Sequence, residues 1–208
     1  MTLVSPSHWL AGLVKQSFLS KYPVEIIHNG IDTSVFKPTL SNLRERFDLR
    51  DKKIVLGVAN VWCERKGFND MLKLAELLPA EYQIVMVGVS KKQKDKLPQN
   101  ILGIIRTDSP QELAQWYTVA DVFVNPTYED NFPTVNLEAQ FCGTHVITYD
   151  TGGCSECLLS DNFYTCINVG NIKSVADVIV KINKQRFSIV IKQYIDDNSY
   201  IKIYNYAF

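Results

Sequence analysis

Two acidic residues, Asp130 and Glu138, are separated by seven residues. The pattern places Asp130 in the loop after a predicted strand and Glu138 about one turn into the following predicted helix. Residues 132–135 cross the start of that helix, where free backbone N–H groups suit a phosphate. Each carboxylate can bind hydroxyl groups on one side of that phosphate. The spacing therefore fits a ligand in which a diphosphate joins a sugar to a ribose.

The same two acids have a simpler interpretation, which the spacing leaves open. In this interpretation Asp130 caps the helix, because Asp is favoured at the position before the first helical turn. Glu138 is then a solvated surface acid that binds no ligand.

A basic pair, Arg65 and Lys66, lies in the loop that follows the predicted strand over residues 54–60. Cations in such a loop can reach a diphosphate, and a hydrogen bond between charged groups contributes about 1.5–3 kcal/mol. The alternative is a basic pair on an exposed loop that binds nothing.

The cysteines and histidines do not predict a metal site. Cys154 and Cys157 form a C-x-x-C pair, but a zinc site needs a second ligand pair, which no cysteine pair or close histidine pair supplies. His8, His28 and His145 are far apart in the sequence, and His145 starts an apolar strand, which indicates a structural role. The sequence also lacks the G-x-G-x-x-G, P-loop and G-x-S-x-G motifs, which argues against the enzymes that carry them.

Short apolar strands that alternate with amphipathic helices must position these residues. The predicted strands cover residues 54–60, 83–88, 100–105, 121–125, 145–149 and 163–169, and the predicted helices cover 9–19, 67–78, 109–120, 133–142, 173–184 and 189–204. This alternation predicts an α/β fold: a mostly parallel, Rossmann-like sheet with helices on both faces. Ligands of such sheets bind beyond the carboxyl ends of the strands.

The chain has 208 residues, with 22 Lys and Arg against 22 Asp and Glu, so its formal net charge is zero. This length predicts one large domain, or one domain plus a fragment. A balanced charge gives no long-range attraction to a polyanion, so we expect no nucleic-acid partner.

No apolar run reaches about 18 residues, so we expect no membrane span. Five cysteines without a disulfide spacing fit reduced thiols in a cytoplasmic protein.

Six ordered segments carry a family resemblance: SPSHWL at 5–10, HNGIDTSVFKP at 28–38, ERKG at 64–67, the acid pair at 130–138, CGTHV at 142–146 and TGGCSE at 151–156. In these segments the chain resembles the C-terminal half of a family 4 glycosyltransferase, a retaining, nucleotide-sugar-dependent class with the GT-B fold. The corresponding family motifs are N-G-V/I-D with F-x-P, E-K-G, E-x7-E, C-G-T-P-V and T-G-G-x-x-E. The similarity extends to about residue 184.

The resemblance implies a role for each matching residue. Lys66 would bind the donor pyrophosphate, Asp130 would hydrogen-bond the transferred sugar and Glu138 would bind the ribose hydroxyls, and these three are the candidate catalytic residues. The other candidate donor-binding residues are Asn60, Arg65, Arg106, Asn131, Phe132, Pro133, Thr134 and Val135. Positive side chains would stabilise the leaving diphosphate, and the family requires neither a metal nor a cofactor.

Three positions depart from the family pattern. The first acid of E-x7-E is Asp130 rather than Glu, so its arm is shorter. Ala59 and Asn60 occupy the region in which the family often has an Arg, so Arg65 could share the positive role. His145 replaces the usual Pro of C-G-T-P-V.

The resemblance divides the chain into three parts. Residues 1–36 would be the end of an N-terminal domain and the interdomain crossing, residues 37–184 the donor-binding Rossmann-like domain, and residues 185–208 a C-terminal helix. A GT-B enzyme holds its acceptor between two domains, so a glycan or lipid-linked acceptor would need the missing N-terminal domain. We therefore expect the isolated chain to be inactive.

The resemblance also implies a hexosyltransferase-type enzyme of polysaccharide biosynthesis, in the cytoplasm or peripheral at the inner membrane. Two other functions remain open at this point. One is a different GT-B enzyme, such as a nucleotide-sugar epimerase or a sugar phosphorylase. The other is a truncated, non-catalytic module that binds a nucleotide sugar or a partner protein.

Overall fold

The strands form two parallel sheets in the residues that the computed structural model describes, 1–159 and 163–182. The smaller sheet pairs β1 (Leu3–Ser5) with β2 (Val24–Ile26), and the helix α1 (His8–Lys15) connects them. The short helix α2 (Leu43–Arg46) then leads into the larger sheet. The predicted helix over residues 189–204 lies outside the described residues.

The larger sheet has six strands, all parallel to their neighbours: β3 (Lys53–Val58), β4 (Tyr82–Val87), β5 (Ile101–Ile104), β6 (Val122–Asn125), β7 (Val146–Tyr149) and β8 (Tyr164–Ile167). Their spatial order is β5-β4-β3-β6-β7-β8. The chain adds strands outward from β3 in one direction and from β6 in the other. The direction of winding therefore reverses between β3 and β6.

Helices cover both faces of this sheet because successive strand side chains point to opposite faces. The further helices are α3 (Phe68–Leu77), α4 (Lys91–Lys94), α5 (Pro110–Val119), α6 (Thr134–Phe141) and α7 (Ile172–Lys181). On one face, Val55 packs in a core with residues of α3 and α7. On the other face, its neighbour Leu56 packs with residues of α2, α5 and α6. The predicted α/β, Rossmann-like architecture is confirmed.

The element boundaries differ from the predictions most clearly at the end of α1. The predicted helix over 9–19 is wrong at its C-terminal end, because α1 ends at Lys15. The Ser17 hydroxyl donates to the Val14 carbonyl oxygen at 2.8 Å, and such local side-chain bonds compete with helix continuation. The predicted strand over 54–60 ends at Val58, which lengthens the loop that carries the basic pair.

All five cysteines are free thiols, as the sequence predicted. Cys154 and Cys157 are both buried, and burial raises the pKa of Cys154 to about 12. A thiol with so high a pKa is inert, which supports a packing role for the C-x-x-C pair. Within residues 1–159 and 163–182, no helix combines the length and the apolar character that a membrane crossing requires.

Candidate functional site

A cleft of about 350 Å³ opens at the carboxyl ends of β3 and β6, where the direction of winding reverses. Open α/β sheets bind their ligands at this position. Eight of the predicted donor-binding residues line the cleft: Asn60, Arg65, Lys66, Asp130, Phe132, Pro133, Thr134 and Val135. The remaining lining residues are Val58, Ala59, Val61 and Asn125, which the sequence did not predict.

The loops after β3 and β6 pack directly on each other at the cleft. Gly67 has a positive φ of 75°, and a Cβ at this position would overlap the Pro126 carbonyl oxygen. The Arg65 carbonyl oxygen accepts from the Tyr128 backbone N–H at 2.8 Å, and its guanidinium donates to the Glu129 carbonyl oxygen at 2.8 Å. These contacts fix the basic pair beside residues 126–133, the loop that carries Asp130 and is called the acidic loop below.

Lys66 and Asp130 form an ion pair across the cleft. The Lys66 ammonium donates to one carboxylate oxygen of Asp130, and both side chains are largely buried. The ammonium has three donors, so two remain for a ligand. The sequence predicted both residues for the site but did not predict that they contact each other.

A third loop, after β7, supports the backbone of Asp130. The Gly153 N–H donates to the Asp130 carbonyl oxygen at 2.9 Å. Gly152 has a positive φ of 57°, and a Cβ there would also overlap this carbonyl oxygen. The Thr151 hydroxyl donates to the Tyr128 carbonyl oxygen at 2.9 Å. The T-G-G segment therefore holds the acidic loop in place.

The N-terminus of α6 faces the cleft through Pro133, Thr134 and Val135. No described side chain makes a capping hydrogen bond to this helix. Asp130 instead accepts from the Phe132 N–H at 3.3 Å, so the interpretation of Asp130 as the cap of α6 is wrong. Free N–H groups at a helix start, together with the helix dipole, favour an anion in the cleft.

Glu138 lies one turn into α6, outside the set of described residues that line the cleft. One carboxylate oxygen accepts from the Tyr117 hydroxyl at 2.9 Å. Burial raises the pKa of Glu138, and the hydrogen bonds from Tyr117 and Thr134 only partly oppose this rise. The interpretation of Glu138 as a solvated surface acid is therefore wrong.

Besides Glu138, two further predicted residues do not join the described lining of the cleft. Arg106 is exposed and follows β5, which lies two strands away from β3 in the sheet. Asn131 is exposed beside Asp130, and its carbonyl oxygen packs closely on Gly153. Their predicted contacts with a donor remain predictions.

A buried acid, Asp70 on α3, holds the acidic loop in place through hydrogen bonds, and the sequence did not predict this role. Its carboxylate accepts from the hydroxyl groups of Tyr128 at 2.8 Å and Tyr149 at 2.7 Å. Because Tyr128 lies two residues before Asp130, this pair of bonds anchors the acidic loop to α3 and β7. An Asp in an amphipathic helix pattern gives no local signal of such a role.

His145 is buried, and one of its ring nitrogens lies 2.9 Å from the Thr165 hydroxyl of β8. This environment agrees with the structural role that the sequence indicated.

Comparisons with known proteins address the family and the fold of the chain. The family model described as glycosyl transferases group 1 matches residues 52–185. The D-inositol 3-phosphate glycosyltransferase of Mycobacteroides abscessus is 32% identical in an alignment of length 143, which covers 62% of this chain and 32% of the relative. The chain spans less than half the length of the curated relatives that it matches.

Solved structures show the same fold. Sucrose-phosphate synthase from Thermosynechococcus elongatus matches with a TM-score of 0.75 and 22% identity, over 87% of this chain and 48% of that one. The Anabaena protein HepE, in complex with UDP-glucose, matches with a TM-score of 0.72 and 19% identity, over 94% of this chain and 62% of that one. Because the family model covers well over half of the sequence, the chain belongs to the group 1 glycosyltransferases.

Proposed function

We propose that this chain is the donor-binding, C-terminal half of a family 4 glycosyltransferase that transfers a hexose from a nucleotide-diphosphate sugar with retention. One observation carries the proposal. A single cleft at the β3–β6 reversal combines Lys66, Asp130 and the N-terminus of α6, which no described side chain caps. A cation and a helix N-terminus suit a diphosphate, and a carboxylate suits sugar hydroxyls.

The donor lies across the cleft in this proposal. Lys66 and Arg65 bind the diphosphate from the β3 side, and the N–H groups of α6 bind it from the β6 side. Asp130 accepts a hydrogen bond from the transferred sugar, and Glu138 binds the ribose hydroxyls through the oxygen that does not face Tyr117. In this proposal Arg106 contacts the base and Asn131 contacts the sugar, after small rearrangements of the loops that carry them.

The chemistry follows from the charge that develops on the donor. The acceptor hydroxyl oxygen bonds to the anomeric carbon on the face that the diphosphate leaves, and the carbon–diphosphate bond breaks. The hydroxyl proton passes to the departing phosphate oxygen. The cations and N–H groups of the cleft stabilise the negative charge of the diphosphate, so the transfer requires no metal ion or cofactor.

The acceptor belongs to the part of the enzyme that this chain does not span. We infer a glycan or a lipid-linked acceptor, held by an N-terminal domain whose last elements are residues 1–36, in a cytoplasmic enzyme that can lie at the inner membrane. The similarity to a D-inositol 3-phosphate glycosyltransferase supports sugar transfer. The UDP-glucose complex of HepE makes uridine donors the first to test.

A thermal-shift experiment on the purified chain tests donor binding. UDP, GDP and ADP sugars are compared, and a ligand at 100 times its dissociation constant should add about 2.7 kcal/mol to the free energy of unfolding. Lys66→Ala should abolish the shift, while Lys92→Ala, at an exposed lysine of α4, should retain it. Donor binding is rejected if no nucleotide sugar shifts the transition at millimolar concentration.

A product assay tests the remaining part of the proposal. The chain alone should bind a donor without transferring sugar at enzyme-like rates. Robust turnover by the 208-residue chain would overturn its assignment as the donor half. A chain that binds a nucleotide sugar, yet gives no product when the N-terminal half is supplied, would be the non-catalytic binding module.

A further inference from the structure

Two histidines that are distant in the sequence meet one glutamate outside the cleft. His8, His28 and Glu156 each offer one ligand atom, and these atoms all lie within 4.8 Å of one another. We propose that these three side chains form a site for a transition-metal ion, with Zn²⁺ as the ion that the ligand set suits best. The proposal is independent of donor binding in the cleft.

The ligand chemistry selects the class of metal. Two imidazole nitrogens and one carboxylate oxygen form a recurring three-ligand zinc set, in which a fourth position remains open to water or to another ligand. Imidazole suits zinc better than it suits calcium or magnesium, which prefer oxygen ligands. Zinc binds these atoms at about 2.0–2.2 Å, so the set must close inward by roughly 1 Å. His8 is exposed and can supply this movement by rotating its ring.

His28 is already oriented as a ligand. Its Nδ1 lies 2.8 Å from the Pro6 carbonyl oxygen. Because a carbonyl oxygen can only accept, Nδ1 carries the proton and the lone pair of the neutral ring is on Nε2. The His28 ring also stacks on Phe132, with centroids 4.9 Å apart and an interplanar angle of 17°. In a metal-bound histidine the ring nitrogen that does not bind the metal usually makes a hydrogen bond of the kind that Nδ1 makes with the Pro6 carbonyl oxygen.

Glu156 is fixed by the N-terminus of α1. Its two carboxylate oxygens accept from the backbone N–H groups of His8 at 2.6 Å and Trp9 at 2.8 Å. A carboxylate has about four lone-pair positions, so about two remain for an ion. The helix N-terminus carries a partial charge of only about +0.5, which the full negative charge of the carboxylate exceeds. The local electrostatics therefore permit a cation here.

The three ligands come from three separate parts of the fold. His8 starts α1, His28 follows β2, and Glu156 lies in the helical turn Ser155–Cys157 after β7. His28 contacts Phe132, which lines the cleft. An ion bound here therefore ties the N-terminal segment to the wall of the cleft. Its role is to hold these parts together, since no ligand of this site lines the cleft itself.

A zinc titration by calorimetry tests the site on the full chain after treatment with a chelator. The experiment uses a Cys63→Ser background, because the exposed Cys63 thiol is a competing ligand. One Zn²⁺ should bind per chain and should raise the unfolding temperature. His8→Ala and His28→Ala should each weaken binding by about 100-fold or more, since even outer partners of metal ligands change affinity by about 10–100-fold.

The controls separate metal binding from folding. Glu25→Gln, at an exposed acid on β2 outside the cluster, should leave the zinc affinity unchanged. His8→Ala should unfold at the same temperature as the parent chain when no zinc is present, because the side chain is exposed. The proposal is overturned if no stoichiometric zinc binding is found, or if binding persists unchanged in both histidine variants.

Discussion

The Lys66 ammonium and the Asp130 carboxylate pair with each other inside the candidate cleft, although they lie 64 positions apart in the chain. Both belong to the set of residues proposed to hold the donor. The pair has no net charge, so the Asp130 carboxylate weakens the attraction of Lys66 for a diphosphate that binds its two remaining N–H donors. The two residues are therefore expected to have opposite effects on the affinity for a free nucleotide.

Asp130→Asn should strengthen the binding of UDP alone. Removing the carboxylate charge leaves Lys66 free for the diphosphate. Exposed ion pairs contribute about 0.2–1 kcal/mol, so this less exposed pair should give a gain in affinity of about fivefold or more. The same variant should lose the additional affinity that a sugar gives to UDP-glucose. Calorimetric titrations with both ligands measure the two effects, and Asp130→Glu serves as the control that keeps the charge. Weaker UDP binding in Asp130→Asn would instead indicate that Asp130 positions Lys66.

Glu138→Gln should stabilise the protein at neutral pH and weaken nucleotide binding. Burial raises the pKa of Glu138 above its ordinary value of 4.5, so the folded chain binds this proton more tightly than the unfolded chain does. Stability from this group is therefore present below pH 4.5 and is lost as the pH rises through the folded pKa. Glutamine carries no titrating proton, so the Glu138→Gln variant does not lose this stability as the pH rises. Its amide oxygen can still accept from the Tyr117 hydroxyl.

Thermal unfolding of the parent and of Glu138→Gln at a series of pH values from 4.5 upward measures this difference. The advantage of the variant should grow as the pH rises, because every other titrating group is shared by the two proteins. A constant difference across the range, or one that shrinks towards neutral pH, would contradict the raised pKa.

Asp70→Asn should destabilise the fold and loosen the acidic loop. The carboxylate accepts from the hydroxyls of Tyr128 and Tyr149, and the bond from Tyr128 also raises the pKa of that tyrosine. Loss of a hydrogen bond to a charged group costs about 1.5–3 kcal/mol. Denaturant unfolding should show a loss of this size in Asp70→Asn and little change in Asp95→Asn, where the acid is exposed. Equal stability of the two variants would argue against an anchoring role for Asp70.

Local sequence signals were sufficient for most elements of the large sheet. One such signal is the Ser-Pro start of α5, where Ser109 caps the helix by accepting from the Glu112 N–H at 3.1 Å and Pro110 occupies the first turn. The apolar runs of the six strands and the lengths of the connecting helices then predict a parallel sheet. Ligand residues could be predicted from the rule that sites lie at the carboxyl ends of such strands.

Contacts between distant segments could not be predicted in this way. Glu156 caps α1 across 148 and 147 residues, and the pairing of Lys66 with Asp130 depends on which strands lie side by side. Strand order is a property of the whole fold, so no local pattern contains it. For the same reason the three-residue cluster with His8 and His28 was not visible when the histidines were considered by their sequence spacing.

Two glycine substitutions should change stability in opposite directions. Gly67→Ala places a side chain at a φ of 75° and against the Pro126 carbonyl oxygen. The left-handed conformation alone costs an L-residue about 1–2 kcal/mol, and the overlap with a backbone atom adds to this. Gly12 lies inside α1, and a Cβ there would meet nothing within 4 Å, so Gly12→Ala should gain about 0.5–1 kcal/mol from helix propensity. Chemical denaturation of both variants gives the two free energies of unfolding.

Because Gly67 joins the two loops of the cleft, Gly67→Ala should also reduce the nucleotide-induced thermal shift, whereas Gly12→Ala should leave it intact. A Gly67→Ala chain with parental stability and nucleotide response would show that the close approach of the two loops is not needed to form the cleft.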